Sequence, residues 1–361
     1  MSRGVDAPAM VGIPHPALQR PAWLQLPVSD LVFALSAFMV VALSTAIDRT
    51  FLIDQSNYVD NFAAAARLEW LDTLVQSDSL AQGLVVELFS EELLWRVWTS
   101  VLGFMFEPTT AVQMTVCVLS ALMIAATWRL PGHSLALALW MILPVGFAVT
   151  GLLQLRQGFA FAVMLYFAAT QRRPVLGTFI AGMIHTTFAV AFIFAFVALV
   201  LQRHRLMALC LALLGAFVGA YIGGLLFETF GGRRLLTYSV AEGATSINYV
   251  YMGVLCILPS IYWLLTRHGS QESDYARMIS ILAVVHVGAT AFTLFSFFLF
   301  PLGAGRIGYL TQLLLIPILP ALYRRRTEVL ALGTVGLVML CLVYLTAKSY
   351  IDGTYQVYFS G

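Results

Sequence analysis

Long apolar runs separated by short polar connectors recur along the whole chain. Runs such as 31–47, 109–128, 134–152, 206–227 and 278–300, each predicted as one span, do not alternate between polar and apolar positions. They approach the roughly 20 residues that an α-helix needs to cross a hydrocarbon core of about 30 Å. A membrane β-barrel would show segments of about 10 residues with alternating polarity instead. The pattern therefore predicts an all-α polytopic membrane protein.

Arginine positions predict how these helices are oriented, because arginine and lysine favour short cytoplasmic loops. The run 175–201 has the basic clusters "QRRP" (171–174) before it and "RHR" (203–205) after it. Both clusters can lie on the cytoplasmic side only if this run is a re-entrant pair of half-helices with its apex near His185. Arg156 then lies at the outer boundary of the membrane.

This arrangement predicts about nine transmembrane helices, one re-entrant helical hairpin and an amphipathic segment on the outer side at 93–106. A rival arrangement makes 93–106 and 175–201 full spans and places Arg156 inside; we favour the first because the rival moves Arg129, Arg172 and Arg173 outside. The predicted organisation is a disordered cytoplasmic tail (1–28), a membrane domain (29–347) with an outer segment (48–92) and an outer loop (228–247), and an outer C-terminal tail (348–361).

Composition agrees with a membrane protein and narrows the function. A mean hydropathy of +0.87, with 60% hydrophobic and 11% charged residues, lies far outside the range of soluble domains. The net charge of +2 and the lack of a basic stripe argue against nucleic acid as a partner. The four cysteines each stand alone in an apolar run, so neither a disulfide framework nor a metal site is predicted.

Two arginines stand in otherwise apolar surroundings, where an ionisable residue needs a partner or a wet cavity. Arg156 is flanked by Gln154 and Gln157 and followed by Gly158, and Arg306 lies in the glycine-rich "GAGRIGY". Each has an ordinary explanation, an interfacial arginine for Arg156 and a turn arginine for Arg306. Together they offer forked donors that match phosphate oxygens, so they are candidates for a diphosphate clamp.

His185 lies at the apex of the predicted hairpin in "GMIHTTF". A lone histidine in an apolar run is most often a hydrogen-bonded structural residue, but a neutral imidazole here could also accept a proton from a hydroxyl. The outer stretches 54–70 and 86–95 are acidic and aromatic. They fit either a solvated surface helix or the recognition of sugar hydroxyls and ring faces.

These residues together resemble the EpsG family of Wzy-type bacterial polysaccharide polymerases. The resemblance lies in the order and spacing of "SEELLW" (90–95), "LRQGFA" (155–160), "IHTTF" (184–188) and "RIGYL" (306–310), with a weaker match at Asp54 and Tyr58. Within these motifs Glu92 and Thr187 depart from the family pattern, which more often has proline and serine at these places.

The resemblance implies a GT-C-like bundle in the bacterial inner membrane that polymerises undecaprenyl-diphosphate-linked repeat units on the periplasmic side and needs no cofactor. A chain-length regulator is a further expected partner. A ligase that moves the glycan to another acceptor, and a flippase for lipid-linked oligosaccharide, remain alternatives. The expected catalytic residues are His185, Arg156, Arg306 and Glu91, and the expected substrate-binding residues are Gln157, Tyr309, Asp54, Tyr58, Glu92, Arg233 and Arg234.

Overall fold

The fold is entirely helical in the part of the chain that the structure describes. This computed structural model describes residues 27–46, 55–68, 92–143, 145–230, 253, 255–266, 273–299, 301–325 and 328–351, with the backbone alone at 55, 226–230, 301–303, 306 and 349–350. None of these residues forms a strand. The predicted all-α class is confirmed.

Fourteen α-helices and one π-helical segment, Gly146–Leu153, make up the described structure. The first seven helices are α1 (Val28–Ala46), α2 (Gln55–Ala65), α3 (Leu93–Met105), α4 (Pro108–Trp128), α5 (His133–Ile142), α6 (Leu155–Gln171) and α7 (Pro174–Ile184). The others are α8 (Thr187–Val200), α9 (Arg205–Phe230), α10 (Leu258–Leu265), α11 (Asp274–Leu299), α12 (Pro301–Leu313), α13 (Leu315–Tyr323) and α14 (Val329–Ile351).

Five of the described helices are long and apolar enough to cross a membrane, namely α1, α4, α9, α11 and α14. A sixth span results if α5 and the π-helical segment are counted together. The chain is thus a multi-pass membrane protein, whereas the predicted nine spans and the GT-C-like architecture stay predictions.

The run 134–152, predicted as one straight span, is bent by 70° between α5 and the π-helical segment. Gly146 explains how the chain can turn here, because a Cβ at this residue would overlap the carbonyl oxygen of Trp140. Only glycine permits so close a backbone approach.

Helix α11 forms the centre of the bundle. The apolar stretch of α11 is 83% buried, whereas those of α1 and α9 are only 17% and 22% buried. Helices α8, α9, α10 and α12 pack around it. Helix α9 turns its small residues inward, with Ala212, Ala216 and Ala220 buried and Gly219 against the ring of Phe292. These small residues belong to the stretch "GAFVGAYIGG" (215–224) and let α9 approach α11 closely.

Helices α7 and α8 pack side by side along their length, so residues 175–201 form a hairpin rather than one span. The turn is tight: a Cβ at Gly182 would lie 3.2 Å from the backbone nitrogen of Ala189. Helix α6 packs equally closely on α7 across the short turn at Arg172–Arg173. As a result the two basic clusters lie at one end of the hairpin and His185 at the other.

Helix α3, the predicted amphipathic segment, has 13 residues, fewer than a span requires. Trp95 and Leu102 are buried, while Val101 and Phe104 are exposed. Its buried side packs on α2, α4 and α7. Glu92, the residue immediately before α3, thereby lies at the tip of the hairpin.

Candidate active site

Glu92 joins three separate parts of the fold through one carboxylate. Its Oε2 accepts a hydrogen bond from Arg156 Nη1 at 2.8 Å. Its Oε1 accepts the backbone N–H of Thr186 at 3.3 Å and lies 3.3 Å from His185 Nδ1. The carboxylate therefore connects the start of α3, the start of α6 and the hairpin tip.

The backbone of Glu92 has an unusual conformation that directs its side chain. It is left-handed, with φ 60° and ψ 57°, and few residues other than glycine adopt this region. The carbonyl of Glu92 accepts the N–H groups of Trp95 and Arg96, which begins α3. With only 9% of its side chain exposed, the carboxylate needs the compensation that Arg156 provides.

Arg156 is the second residue of α6, where the chain leaves the π-helical segment. Gly158 lets this end of α6 lie against the segment, because a Cβ there would overlap the carbonyl oxygen of Thr150. The side chain of Arg156 is 43% exposed although it pairs with a buried carboxylate. Donors of the guanidinium remain accessible to a ligand from outside the bundle.

His185 lies between the half-helices α7 and α8 in an extended conformation, with φ −147°. Its side chain is 9% exposed. The backbone N–H of Thr187 points at Nδ1 from 3.3 Å, the same nitrogen that faces Glu92. The hairpin thus places the His185 imidazole beside the Arg156–Glu92 pair, close to the N-terminus of α6.

Aromatic side chains surround this cluster on the side of α2 and α3. Tyr58 interacts with the Arg156 side chain and packs edge-on against Trp95, with ring centroids 6.1 Å apart. Phe159, one turn after Arg156, packs on Trp98 at 4.9 Å. Trp98 Nε1 donates to Thr115 Oγ1 at 3.0 Å. These contacts hold α2, α3, α4 and α6 together around Arg156.

Comparison with known protein families shows which family this chain belongs to. The EpsG family model matches residues 31–360. The chain belongs to the EpsG family. No curated protein and no solved structure matches it. The EpsG family is a Wzy-type polysaccharide polymerase family, so membership supports a polymerase-type role and, with it, a lipid-linked glycan substrate.

Four of the residues predicted from the EpsG resemblance meet in the structure, namely Arg156, His185, Glu92 and Tyr58. Gln157, the next residue after Arg156, is almost fully buried, and Tyr309 is half-buried on α12. The side chains of four further candidates lie outside the described residues: Asp54, Glu91, Arg233 and Arg234.

Arg306 lies on α12, and the structure describes only the backbone of this residue. Helix α12 packs against α8, the second half of the hairpin. The element that carries Arg306 thus contacts the hairpin that carries His185. The predicted clamp of Arg156 and Arg306 on one diphosphate stays a prediction.

The central position of Glu92 was missed by sequence reasoning, which gave it a substrate-binding role and kept Glu91 as a reserve base. A signal existed in the sequence: an arginine in apolar surroundings needs an anionic partner at the same depth. Glu92 stands at the start of the apolar run of α3 and is such a partner. The sequence pattern could not tell that the carboxylate of Glu92 turns inward.

Proposed function

We propose that this EpsG-family protein polymerises undecaprenyl-diphosphate-linked oligosaccharide repeat units by glycosyl transfer on the periplasmic side of the bacterial inner membrane. The observation that carries the proposal is that Arg156 and His185 converge on one buried carboxylate, Glu92. The cluster thereby joins a phosphate ligand and a proton acceptor, the two groups that transfer from a lipid diphosphate requires.

Arg156 is the proposed ligand of the departing diphosphate. A guanidinium offers planar, forked donors that match phosphate oxygens and stays charged at any physiological pH. The partial exposure of Arg156 supports this role, since Glu92 and Tyr58 hold a side chain that is still 43% exposed. Charge that develops on the leaving oxygen during bond cleavage would be stabilised by donors already in place.

His185 is the proposed general base. A hydroxyl oxygen at the non-reducing end of one lipid-linked repeat attacks the anomeric carbon of the glycan carried by the other lipid. The bond from that carbon to the phosphate oxygen breaks, and undecaprenyl diphosphate leaves. The hydroxyl proton passes to the imidazole of His185, which returns it to solvent. Atoms and charge balance without a further reactant.

The hairpin geometry supports the periplasmic location of this reaction. Helix α6 has 17 residues and is therefore about 25 Å long, with Arg156 near one end and the basic cluster 171–174 at the other. The cluster 203–205 follows α8 and lies at that same basic end. Basic clusters favour the cytoplasm, so the Arg156 end faces the periplasm.

Other residues would contact the sugars and the diphosphate. Aromatic faces and carboxylates suit sugar rings and hydroxyls, which makes Tyr58 and the outer residue Asp54 candidates for the acceptor sugar. Helix α12 contacts α8 and would bring its own residues to the hairpin. The remaining proposed site residues are Glu91, Gln157, Arg233, Arg234, Arg306 and Tyr309. A chain-length regulator is a proposed partner.

The test is polymerisation by purified protein of the host's own undecaprenyl-diphosphate repeat unit, with products separated on a gel. We expect a ladder of bands one repeat apart. His185→Ala and Arg156→Ala should abolish the ladder. Matched controls are His204→Ala and Arg203→Ala, which remove the same side chains from exposed positions at the other end of the hairpin and should keep it.

The outcomes separate the alternatives. A folded, correctly inserted protein that gives no ladder would refute polymerisation. Transfer of a single glycan to a foreign acceptor such as lipid A core would then indicate a ligase. Movement of the labelled lipid between leaflets without any new glycosidic bond would indicate a flippase.

A further inference from the structure

His185 Nδ1 has two neighbours that cannot both be hydrogen-bond partners of a neutral imidazole. Glu92 Oε1, an acceptor, lies 3.3 Å away, and the backbone N–H of Thr187, a donor, also lies 3.3 Å away. A ring nitrogen carries either a hydrogen or a lone pair. The site therefore offers two arrangements of the proton on this ring, each matched by one neighbour.

The two arrangements differ in chemistry. With the hydrogen on Nδ1, directed at Glu92, the lone pair is on Nε2, and that nitrogen can accept a proton. With the lone pair on Nδ1, directed at the Thr187 N–H, the hydrogen is on Nε2, and that nitrogen can only donate. Only the first tautomer allows Nε2 to act as the base, since the second nitrogen of a histidine base must carry its hydrogen.

Glu92 is held so that it can favour the first tautomer. The Thr186 N–H binds the same Oε1 that faces Nδ1, which ties the carboxylate to the hairpin tip. Arg156 binds the other oxygen, Oε2, and draws negative charge away from the imidazole. Arg156 is 43% exposed and Glu92 only 9%, so a ligand from outside reaches the arginine and not the carboxylate.

We propose that Glu92 is a positioning residue that selects the proton-accepting tautomer of His185, and that an anion bound at Arg156 strengthens this selection. The proposal rests on the proposed function for its role in catalysis. A diphosphate that takes up guanidinium donors leaves more of the Glu92 charge to the imidazole. The base would thus be prepared when the leaving group of the donor lipid is in place.

The direct test is ¹⁵N NMR of the histidine rings, whose nitrogen shifts differ between the two tautomers. Protein is labelled at its six histidines, and the His185 signals are assigned by their loss in His185→Gln. We expect the Nδ1–H tautomer to predominate, and its population to rise when inorganic pyrophosphate is added. A predominant Nε2–H tautomer would overturn the proposal; no response to pyrophosphate would overturn the coupling to Arg156.

Glu92→Gln is the matched variant, since it keeps the size of the side chain and removes its charge. The population of the Nδ1–H tautomer should fall, whereas Glu107→Gln, the same change at an exposed site outside the cluster, should leave it unchanged. The wild-type comparison with and without pyrophosphate tests the proposal even if Glu92→Gln folds poorly.

Kinetics distinguish positioning from a merely structural role. In the polymerisation assay, Glu92→Gln should lower kcat by about a hundredfold, the lower end of what a positioned general base contributes. KM for the lipid substrate should stay the same or fall, because Arg156 no longer pairs with a carboxylate. An unchanged kcat, or a raised KM, would contradict the assignment.

The two proposals can fail separately. A predominant Nδ1–H tautomer that depends on Glu92, in a protein that makes no ladder, supports the positioning role while polymerisation fails. A wild-type ladder together with full activity of Glu92→Gln refutes the positioning role while polymerisation stands.

Discussion

Gly158→Ala tests whether the position of Arg156 depends on a close contact between α6 and the π-helical segment. The added Cβ would overlap the carbonyl oxygen of Thr150 and lie 2.6 Å from its carbonyl carbon. It would also lie 3.0 Å from Leu119 Cδ1 on α4. The Leu119 side chain can rotate away, but the Thr150 carbonyl is backbone. The start of α6 must therefore move.

The size of the effect follows from these distances. Non-bonded carbon atoms prefer separations of about 3.5 to 4.0 Å, so α6 must shift by about 1 Å at residue 158. Overpacking of this kind lowers the free energy of unfolding by about 1 to 3 kcal/mol. Arg156 lies two residues earlier and moves with the helix. A misplacement of about 1 Å can reduce a catalytic rate by about a hundredfold.

Two measurements check this prediction, the unfolding temperature in detergent and the initial rate of ladder formation. We expect both to fall in Gly158→Ala, the rate by more than tenfold even well below the unfolding temperature. Gly333→Ala is the control, because a Cβ at Gly333 on α14 meets nothing within 4 Å. Wild-type rate and stability in Gly158→Ala would refute the close contact and the positioning argument built on it.

Three further predictions test separate parts of the structure. Arg156→Lys should lower the polymerisation rate at least tenfold, because lysine lacks the forked donors of a guanidinium; full activity would argue against bidentate phosphate binding. Ser260→Ala should lower the free energy of unfolding by about 1 to 3 kcal/mol without changing kcat, because it removes the 2.7 Å hydrogen bond to the fully buried His286; an unchanged unfolding curve would contradict this. In a cysteine-free background, a membrane-impermeant maleimide should label Glu107→Cys but not Gln171→Cys from the periplasm, and the reverse result would invert the proposed topology.

The helical class and the hairpin could be predicted because they depend on length and charge. The run 175–201 has 27 largely apolar residues and is long enough for a span. Basic clusters flank both of its ends, however, and they cannot lie on opposite sides of the membrane at low cost. Two half-helices satisfy both constraints. The structure contains the hairpin and breaks it at His185, where the polar "HTT" interrupts the run.

The bend between α5 and the π-helical segment was missed by sequence reasoning, although the sequence carries a signal for it. Pro144 interrupts the apolar run 134–152, and a proline inside a helical pattern ends or kinks the helix near the preceding residue. The close contact of Gly146 with the Trp140 carbonyl depends on backbone geometry that the hydropathy pattern does not encode.

The choice between Glu91 and Glu92 shows most clearly where sequence reasoning ends. Both are acidic, both precede α3, and either could compensate Arg156 by charge alone. Glu92 holds the inward position through a left-handed backbone that disfavours side chains by roughly 1 to 2 kcal/mol. This disfavoured conformation persists because Arg156, His185 and the Thr186 N–H all bind the same carboxylate. Removing these partners should therefore let the Glu92 backbone relax out of the left-handed region.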